Sequence, residues 1–406
     1  MNSKVGTCKI CIVRHGYFPQ DPRVLKEVKA LLGLRCEVDV ICLRGEHQKS
    51  FEIWNKVNIY RLPLEHKRLG LIHYIFEYAI SFVMFFGKLT ILHLKRRYDV
   101  IQVNTLPDFL VFTAFIPKLM GARIALDLHE LMPEYFISKF KNTPLIKILY
   151  RLIVLLECLS IKFADLVFTV SPIQVKVLKK RYPNLKSIIV HNVPDETLFY
   201  QNQVEDEIIS DTNNKAILMY HGTLLEGYGV QVLISAIPMV LQEITDLQVY
   251  IIGDGEFLPH LQKQASDLGL LHVITFTGKV PLNLIPYYIK KATIGIVPLL
   301  KDGYMELCAP NKLFEYVALK KPVIAANLPG IRVYFDERQI ELFNPGDPED
   351  LARKIISLLK NPQRRVELAQ EAWKVYKIIR WEKTKLAYVK GIKQLFEKTV
   401  HFNRIR

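Results

Sequence analysis

No HExxH pair, EF-hand loop, Walker loop or GxGxxG fingerprint occurs in this sequence. It therefore offers no ready reading as a zinc protease, a calcium sensor, a P-loop nucleotidase or a dinucleotide enzyme. No basic–aromatic platform or helix-turn-helix pattern appears either, which argues against a nucleic-acid partner. The six cysteines are scattered. Cys8 and Cys11 have CxxC spacing but sit in an apolar run that reads as an opening β-strand, and no second CxxC or nearby CxxH completes a metal site. Reduced thiols and no metal are the expectation. The run Ile10–Val13 is too short for a secretory h-region, so a cytoplasmic protein is expected. The apolar segment Leu69–Leu94 is interrupted by Glu77 and Lys88, leaving a clean stretch short of the ~20 residues that a spanning helix needs.

What is present is an ordinary globular composition with a strong charge bias. Half of the 406 residues are apolar and 23% are charged, with a formal net charge of +15. This size supports two or three domains, and the basic balance favours polyanionic partners such as an anionic membrane surface or a nucleoside diphosphate. Strand and helix patterns alternate along the first half: strands over 8–13, 37–42, 100–104, 123–128, 166–170 and 187–191, and helices over 21–32, 69–94, 109–120, 145–163 and 172–181. A polar, acidic stretch over 194–212 reads as a linker. A second cycle follows, with strands over 216–220, 248–252, 273–277, 294–298, 322–326 and 340–343. Its helices run over 230–241, 256–268, 284–291, 312–319, 350–359 and 364–376, before a last helix from Trp381. Such alternation implies parallel, doubly wound sheets. The expected domains are 1–200 and 201–380, with the helix 381–406 packing back on the first. Two such domains facing a cleft would place a ligand between them. For Leu69–Leu94 the first reading is an amphipathic core helix. The second is membrane-surface contact, because Lys67, Arg68, Lys95, Arg96 and Arg97 flank it.

The motifs with chemical content sit where strands end and helices begin, which is where open α/β sheets hold phosphorylated ligands. Pro310-Asn311-Lys312-Leu313-Phe314-Glu315-Tyr316 puts a lysine and a carboxylate at a helix start. His221-Gly222-Thr223 and Gly253-Asp254-Gly255 are strand-end turns whose glycines allow close backbone approach. In the first half, Asp127-Leu128-His129-Glu130 with Pro133-Glu134 gathers carboxylates around an imidazole. Arg14-His15-Gly16 opens the first strand-to-helix loop, and Asp21-Pro22 reads as a helix cap followed by an N1 proline.

In order and spacing these pieces resemble the retaining nucleotide-sugar glycosyltransferases of the GT-B fold, family 4 (glycosyl transferases group 1). The motifs carrying the resemblance also include Asp21-Pro22-Arg23-Val24, Leu106-Pro107-Asp108, His191-Asn192-Val193-Pro194-Asp195, Tyr228-Gly229, Phe276-Thr277-Gly278 and Trp381-Glu382. The resemblance implies a C-terminal domain that binds a nucleoside-diphosphate-sugar donor and an N-terminal domain that binds a glycan or lipid-linked acceptor. Lys312 would hold the diphosphate and Glu315 the ribose. His129, with Glu130 beside it, would face the donor sugar across the cleft. Gly16, Gly222, Thr223, Gly253, Gly255, Pro310 and Asn311 would form the nucleotide-binding backbone. The nucleotide-sugar is a co-substrate, and neither cofactor nor metal is implied. The family's chemistry is transfer with retention, its leaving diphosphate stabilised by fixed cations and helix-end amides. Two positions depart from the family pattern: the first acid of its Glu-x7-Glu element falls on Leu307, with Glu306 one residue away, and a usual basic residue is Gly227. The resulting expectation is transfer to a lipid-linked or surface-polysaccharide acceptor by a peripheral membrane protein. The alternatives are a catalytically weak GT-B protein serving as an assembly partner, or a GT-B-fold sugar-nucleotide epimerase.

Overall fold

The protein's structure, a computed structural model, describes residues 8–64, 71–140, 146–197 and 215–405. The chain divides into two compact units, Met1–Asn192 with Glu382–Arg406, and Val193–Trp381. Residues 198–212 of the expected linker, and Lys67, Arg68 and Leu69, lie outside the described residues.

The first unit is built on eight strands: β1 (Lys9–Arg14), β2 (Glu37–Leu43), β3 (Phe51–Trp54), β4 (Val57–Leu62), β5 (Val100–Asn104), β6 (Arg123–Leu128), β7 (Leu166–Thr169) and β8 (Ser187–Ile189). Their order across the sheet is β3-β4-β2-β1-β5-β6-β7-β8, parallel throughout except for the β3–β4 pair. The central strands are buried along nearly their whole length, as expected of a parallel sheet covered on both faces. Right-handed crossovers place helix Pro22–Gly33 on one face, since its connection runs leftward from β1 to β2. The rightward connections put Leu71–Arg96, Asp108–Ala114 and Ile146–Phe163 together on the other face.

The second unit repeats the plan with β9 (Ala216–His221), β10 (Leu247–Ile252), β11 (Ile274–Gly278), β12 (Ile294–Val297), β13 (Val323–Ala326) and β14 (Glu341–Phe343). All are parallel, in the order β11-β10-β9-β12-β13-β14. The two parallel-sheet α/β units agree with the fold class expected from the alternating pattern.

Three local features differ from the sequence reading. The β3–β4 hairpin was not anticipated; Asn55 and Lys56 both take positive φ (47° and 70°), forming the two-residue turn whose twist suits a hairpin. The helix expected over 109–120 is split into a 3-10 segment, Asp108–Ala114, and a short helix, Phe115–Leu119. Pro117 lacks the N–H that a continuous α-helix would bond to the carbonyl of Thr113. The acidic run after His129 is a loop only as far as Leu131, and Met132–Phe140 is helical with Pro133 in its first turn.

Charge placement also changes the reading of the long apolar helix. Leu71–Arg96 runs unbroken for 26 residues, and its Tyr74–Arg96 portion is long and apolar enough to cross a membrane by length and composition. The interrupting charges turn inward. Glu77 is buried 3.8 Å from His15, and the Lys88 ammonium lies 4.7 Å from the Tyr60 ring centroid.

Candidate functional site

In the first unit, the carboxyl ends of β1, β5 and β6 bring together a buried polar network. His129 follows β6, its amide donating to Thr105 Oγ1 at 3.0 Å and its carbonyl accepting from Gln174 Nε2 at 3.1 Å. The imidazole Nε2 lies 2.7 Å from Asp127 Oδ2. Asn104 Nδ2 donates to the same carboxylate oxygen at 2.8 Å and to Glu27 Oε2 at 3.2 Å, while Gln102 Nε2 donates to Glu27 Oε2 at 2.9 Å. Tyr388 of the last helix hydrogen-bonds Gln102 Oε1 at 2.7 Å.

Burial and the neighbouring charge of Asp127 push the Glu27 carboxyl well up, so it is neutral and bonds to Asp127. Burial opposes charge on Asp127 too, but His129 and the hydrogen bonds outweigh it and pull its carboxyl down. Burial lowers the His129 imidazole, the Asp127 charge only partly offsetting it. The network therefore centres one anion, Asp127, on three donors: the Asn104 amide, the Glu27 hydroxyl and the His129 Nε2–H. The His129 Nδ1 is left as a buried acceptor with no hydrogen-bond partner among the described residues. Glu27, Asp127 and His129 have ligand atoms within 4.8 Å of one another. The amide hydrogens of Asn104 and Gln102 fall on one oxygen of each carboxyl, Asp127 Oδ2 and Glu27 Oε2.

Around this network the remaining first-unit candidates pair with one another. Glu130 accepts from the Arg23 guanidinium at 3.4 Å. Arg14 bridges Asp21, at 3.0 Å, and the Thr105 carbonyl. Asp21 caps helix Pro22–Gly33 by accepting from Arg23 N at 3.0 Å. Burial opposes its charge, but Arg23 and Arg14 hold its carboxyl far below the usual range. A side chain on Gly16 would press on that of Arg14. His15 turns away into Leu71–Arg96, 3.1 Å from Ser81 Oγ.

In the second unit, Pro310 precedes helix Asn311–Ala318, and Lys312 lies in its first turn. The Lys312 side chain is buried, its Nζ 3.7 Å from the ring centroid of Tyr220 and 4.7 Å from that of Tyr228, without a hydrogen-bond partner among the described residues. Burial drives its ammonium well below the usual lysine range, and Glu315 only partly restores it. Gly222 makes room for this arrangement: at φ +125°, a Cβ there would stand 3.1 Å from both Lys312 Cε and Nζ. Asn311 adds a buried acceptor, its Oδ1, without a hydrogen-bond partner among the described residues.

Glu315 is held by a partner that sequence reading left unassigned. Its Oε2 lies 2.5 Å from His221 Nε2, and His221 Nδ1 lies 2.9 Å from Tyr316 Oη. Tyr316 spends its one O–H on the Met219 carbonyl at 2.8 Å, so His221 Nδ1 must donate to the phenol oxygen. His221 thus ties Glu315 Oε2 to the Tyr316 phenol and leaves Oε1 outside that bond. The separation of His221 and Glu315 by 94 positions hides the pair from local sequence reading.

The other glycine candidates serve backbone packing. A Cβ on Gly253 would fall 1.9 Å from the Gly222 carbonyl oxygen, and one on Gly255 would fall 2.2 Å from that of Leu224. The two strand-end turns are therefore fitted against each other. Thr223 is exposed, with its carbonyl accepting from Tyr220 Oη at 2.7 Å. Of the departures, Gly227 faces Met305 and Asp302, while Glu306 and Leu307 lie in a 3-10 turn, Met305–Leu307.

Residues 215–361 match the family described as glycosyl transferases group 1. An uncharacterized glycosyltransferase of Methanocaldococcus jannaschii is 24% identical over 214 residues, which cover 52% of this chain and 57% of that protein. The match thus spans just over half of that relative's length. Among solved structures, sucrose-phosphate synthase from Thermosynechococcus elongatus superposes with a TM-score of 0.76 at 18% identity, covering 96% of this chain and 99% of that one. HepE of Anabaena, solved in complex with UDP, gives a TM-score of 0.69 at 17% identity over 96% of this chain and all of its own. At these identities the structural likenesses show a shared fold, GT-B.

Proposed function

We propose that the protein is a nucleotide-sugar-dependent glycosyltransferase, from the match of residues 215–361 to the glycosyl transferases group 1 family. The donor is a nucleoside-diphosphate-sugar, and the acceptor a lipid-linked or surface-polysaccharide glycan. Transfer proceeds with retention, and the protein works as a peripheral protein at the cytoplasmic membrane face. The observation that carries the donor assignment is the buried Lys312 amine at a helix start, without a hydrogen-bond partner among the described residues. Charging a buried amine is costly, and a diphosphate arriving beside it relieves that cost. The first-turn amides of Asn311–Ala318 supply further donors to the same anion. Oε1 of Glu315, left outside the His221 bond, accepts from the ribose hydroxyls.

As the glycosidic bond breaks, negative charge grows on the leaving diphosphate. Lys312 and the helix-end amides stabilise that charge more than they stabilise the intact donor. His129 serves the sugar side. Its neutral imidazole, oriented by Asp127, presents Nδ1 as an acceptor for a sugar hydroxyl, and the Asp127 network holds it against rotation.

Thermal-shift screening against UDP-, GDP- and ADP-sugars tests the reading. Stabilisation by one donor class is expected, lost in Lys312→Ala and Glu315→Ala, and the product's anomeric configuration read by NMR should match the donor's. The second reading, a weakly active assembly partner, draws on Gly227 and Leu307. Donor stabilisation without measurable transfer or donor hydrolysis would favour it over transfer.

A further inference from the structure

The first unit carries an apolar surface that the transfer chemistry leaves unused, and we propose that this surface docks on a bilayer rich in anionic lipid. The proposal deepens the reading of a lipid-linked acceptor, on which it rests, by naming the helices that meet the membrane.

Helix Leu71–Arg96 exposes Phe76, Ile80, Val83, Ile91 and Leu94. Helix Ile146–Phe163 exposes Ile148, Leu152, Leu155 and Leu159, and across both sets the exposure is 45–69%. The second set is spaced i, i+4, i+7 and i+11, and the first i, i+4, i+7, i+15 and i+18, so each set forms one stripe along its helix. Both helices lie on the same face of the sheet, flanking the 3-10 segment Asp108–Ala114. Phe82 packs against Phe109 on one side, and Phe163 packs against Phe112 on the other. The stripes consequently face outward from a single layer. Exposed Phe115 and Leu119, which directly follow the 3-10 segment, lie in that layer.

Charge on this layer has one sign outward. The acids of the two helices, Glu77 and Glu157, are buried, against His15 and against Arg181 with Tyr182 respectively. The exposed charges on and beside the helices are Lys147, Arg151 and Lys162, with Lys95 and Arg97. An apolar stripe edged by cations fits the boundary between acyl chains and anionic headgroups. A second copy of the chain would set these cations against their own kind. Spanning is also disfavoured, because Phe85 and Leu89 on the inner side of Leu71–Arg96 are fully buried in the unit's core.

Sedimentation of the full chain with vesicles provides the test, using phosphatidylcholine alone or mixed equally with phosphatidylglycerol. Binding to the mixed vesicles is expected, weakening as salt rises. The triple variant Leu152→Ser, Leu155→Ser, Leu159→Ser should bind at least ~10-fold more weakly, since those side chains supply the buried apolar area. Its donor-induced thermal shift should be unchanged, which separates failure of this proposal from failure of the transferase reading. Parent protein that stays in solution with both vesicle types overturns the proposal. So does a triple variant that binds like the parent, or one that loses only self-association.

Discussion

The two units share an architecture and differ in how their strand-end polar groups are satisfied. In the first, Glu27, Asn104, Asp127 and His129 satisfy one another almost completely, His129 Nδ1 alone among them lacking a hydrogen-bond partner among the described residues. In the second, His221, Glu315 and Tyr316 form a comparable chain, but the Lys312 amine beside them faces the rings of Tyr220 and Tyr228 with no hydrogen-bond partner among the described residues. A closed network holds a group in place, whereas an open cation is finished by what binds it. The outer surfaces differ as well, with most of the exposed large apolar side chains falling in the first unit.

The comparison breaks most visibly at the open cation. Replacing Lys312 with Ala should lower transfer by roughly 10²–10³-fold, the scale of losing one transition-state donor, measured as kcat/KM with the donor identified by screening. The closed network should answer in stability. Glu27→Leu leaves the Asn104 and Gln102 amides short of an acceptor, so a loss of about 1–3 kcal/mol is expected in urea unfolding, whereas Glu27→Gln should lose less. His221→Ala frees Glu315 without removing it. Donor affinity should fall about tenfold, ~1.4 kcal/mol, with kcat nearly unchanged, as calorimetry and steady-state rates would show. The smallest effect sharpens the second unit. Gly227→Lys should tighten donor binding a few-fold by adding a cation next to Tyr228, whose ring Lys312 faces, in line with a partly exposed charge pair of ~1 kcal/mol or less.

Much of this was legible in advance because parallel sheets write themselves in uninterrupted apolar runs. The strands Val100–Asn104 and Arg123–Leu128 fall where the pattern puts them, as does the apolar helix Val230–Leu241. The β3–β4 hairpin escaped because Asn55-Lys56 reaches positive φ without the glycine that usually announces such a turn. The split at Asp108–Ala114 turns on one missing N–H, which periodicity does not register. In the site, the Lys312 and Glu315 motif was readable because its parts adjoin. The partners that decide its chemistry were not: Tyr220 and His221 arrive from another strand end, and Glu27 reaches Asp127 from a helix a hundred positions earlier. Periodicity also counted Glu77 and Lys88 as breaks in an apolar run, when the fold turns both away from the surface stripe.

The central claim is that Lys312 awaits an anion. Burial holds its ammonium well below the usual lysine range in the free protein, and a bound diphosphate would raise it. Binding must then take up protons, and affinity must fall as pH rises through the free-state value. Calorimetric titration of UDP and GDP, repeated in buffers of different ionisation enthalpy, reads this directly. The account predicts proton uptake by the parent protein with at least one nucleotide, and its disappearance in Lys312→Met. Equal affinity and equal proton exchange in the two proteins would contradict it.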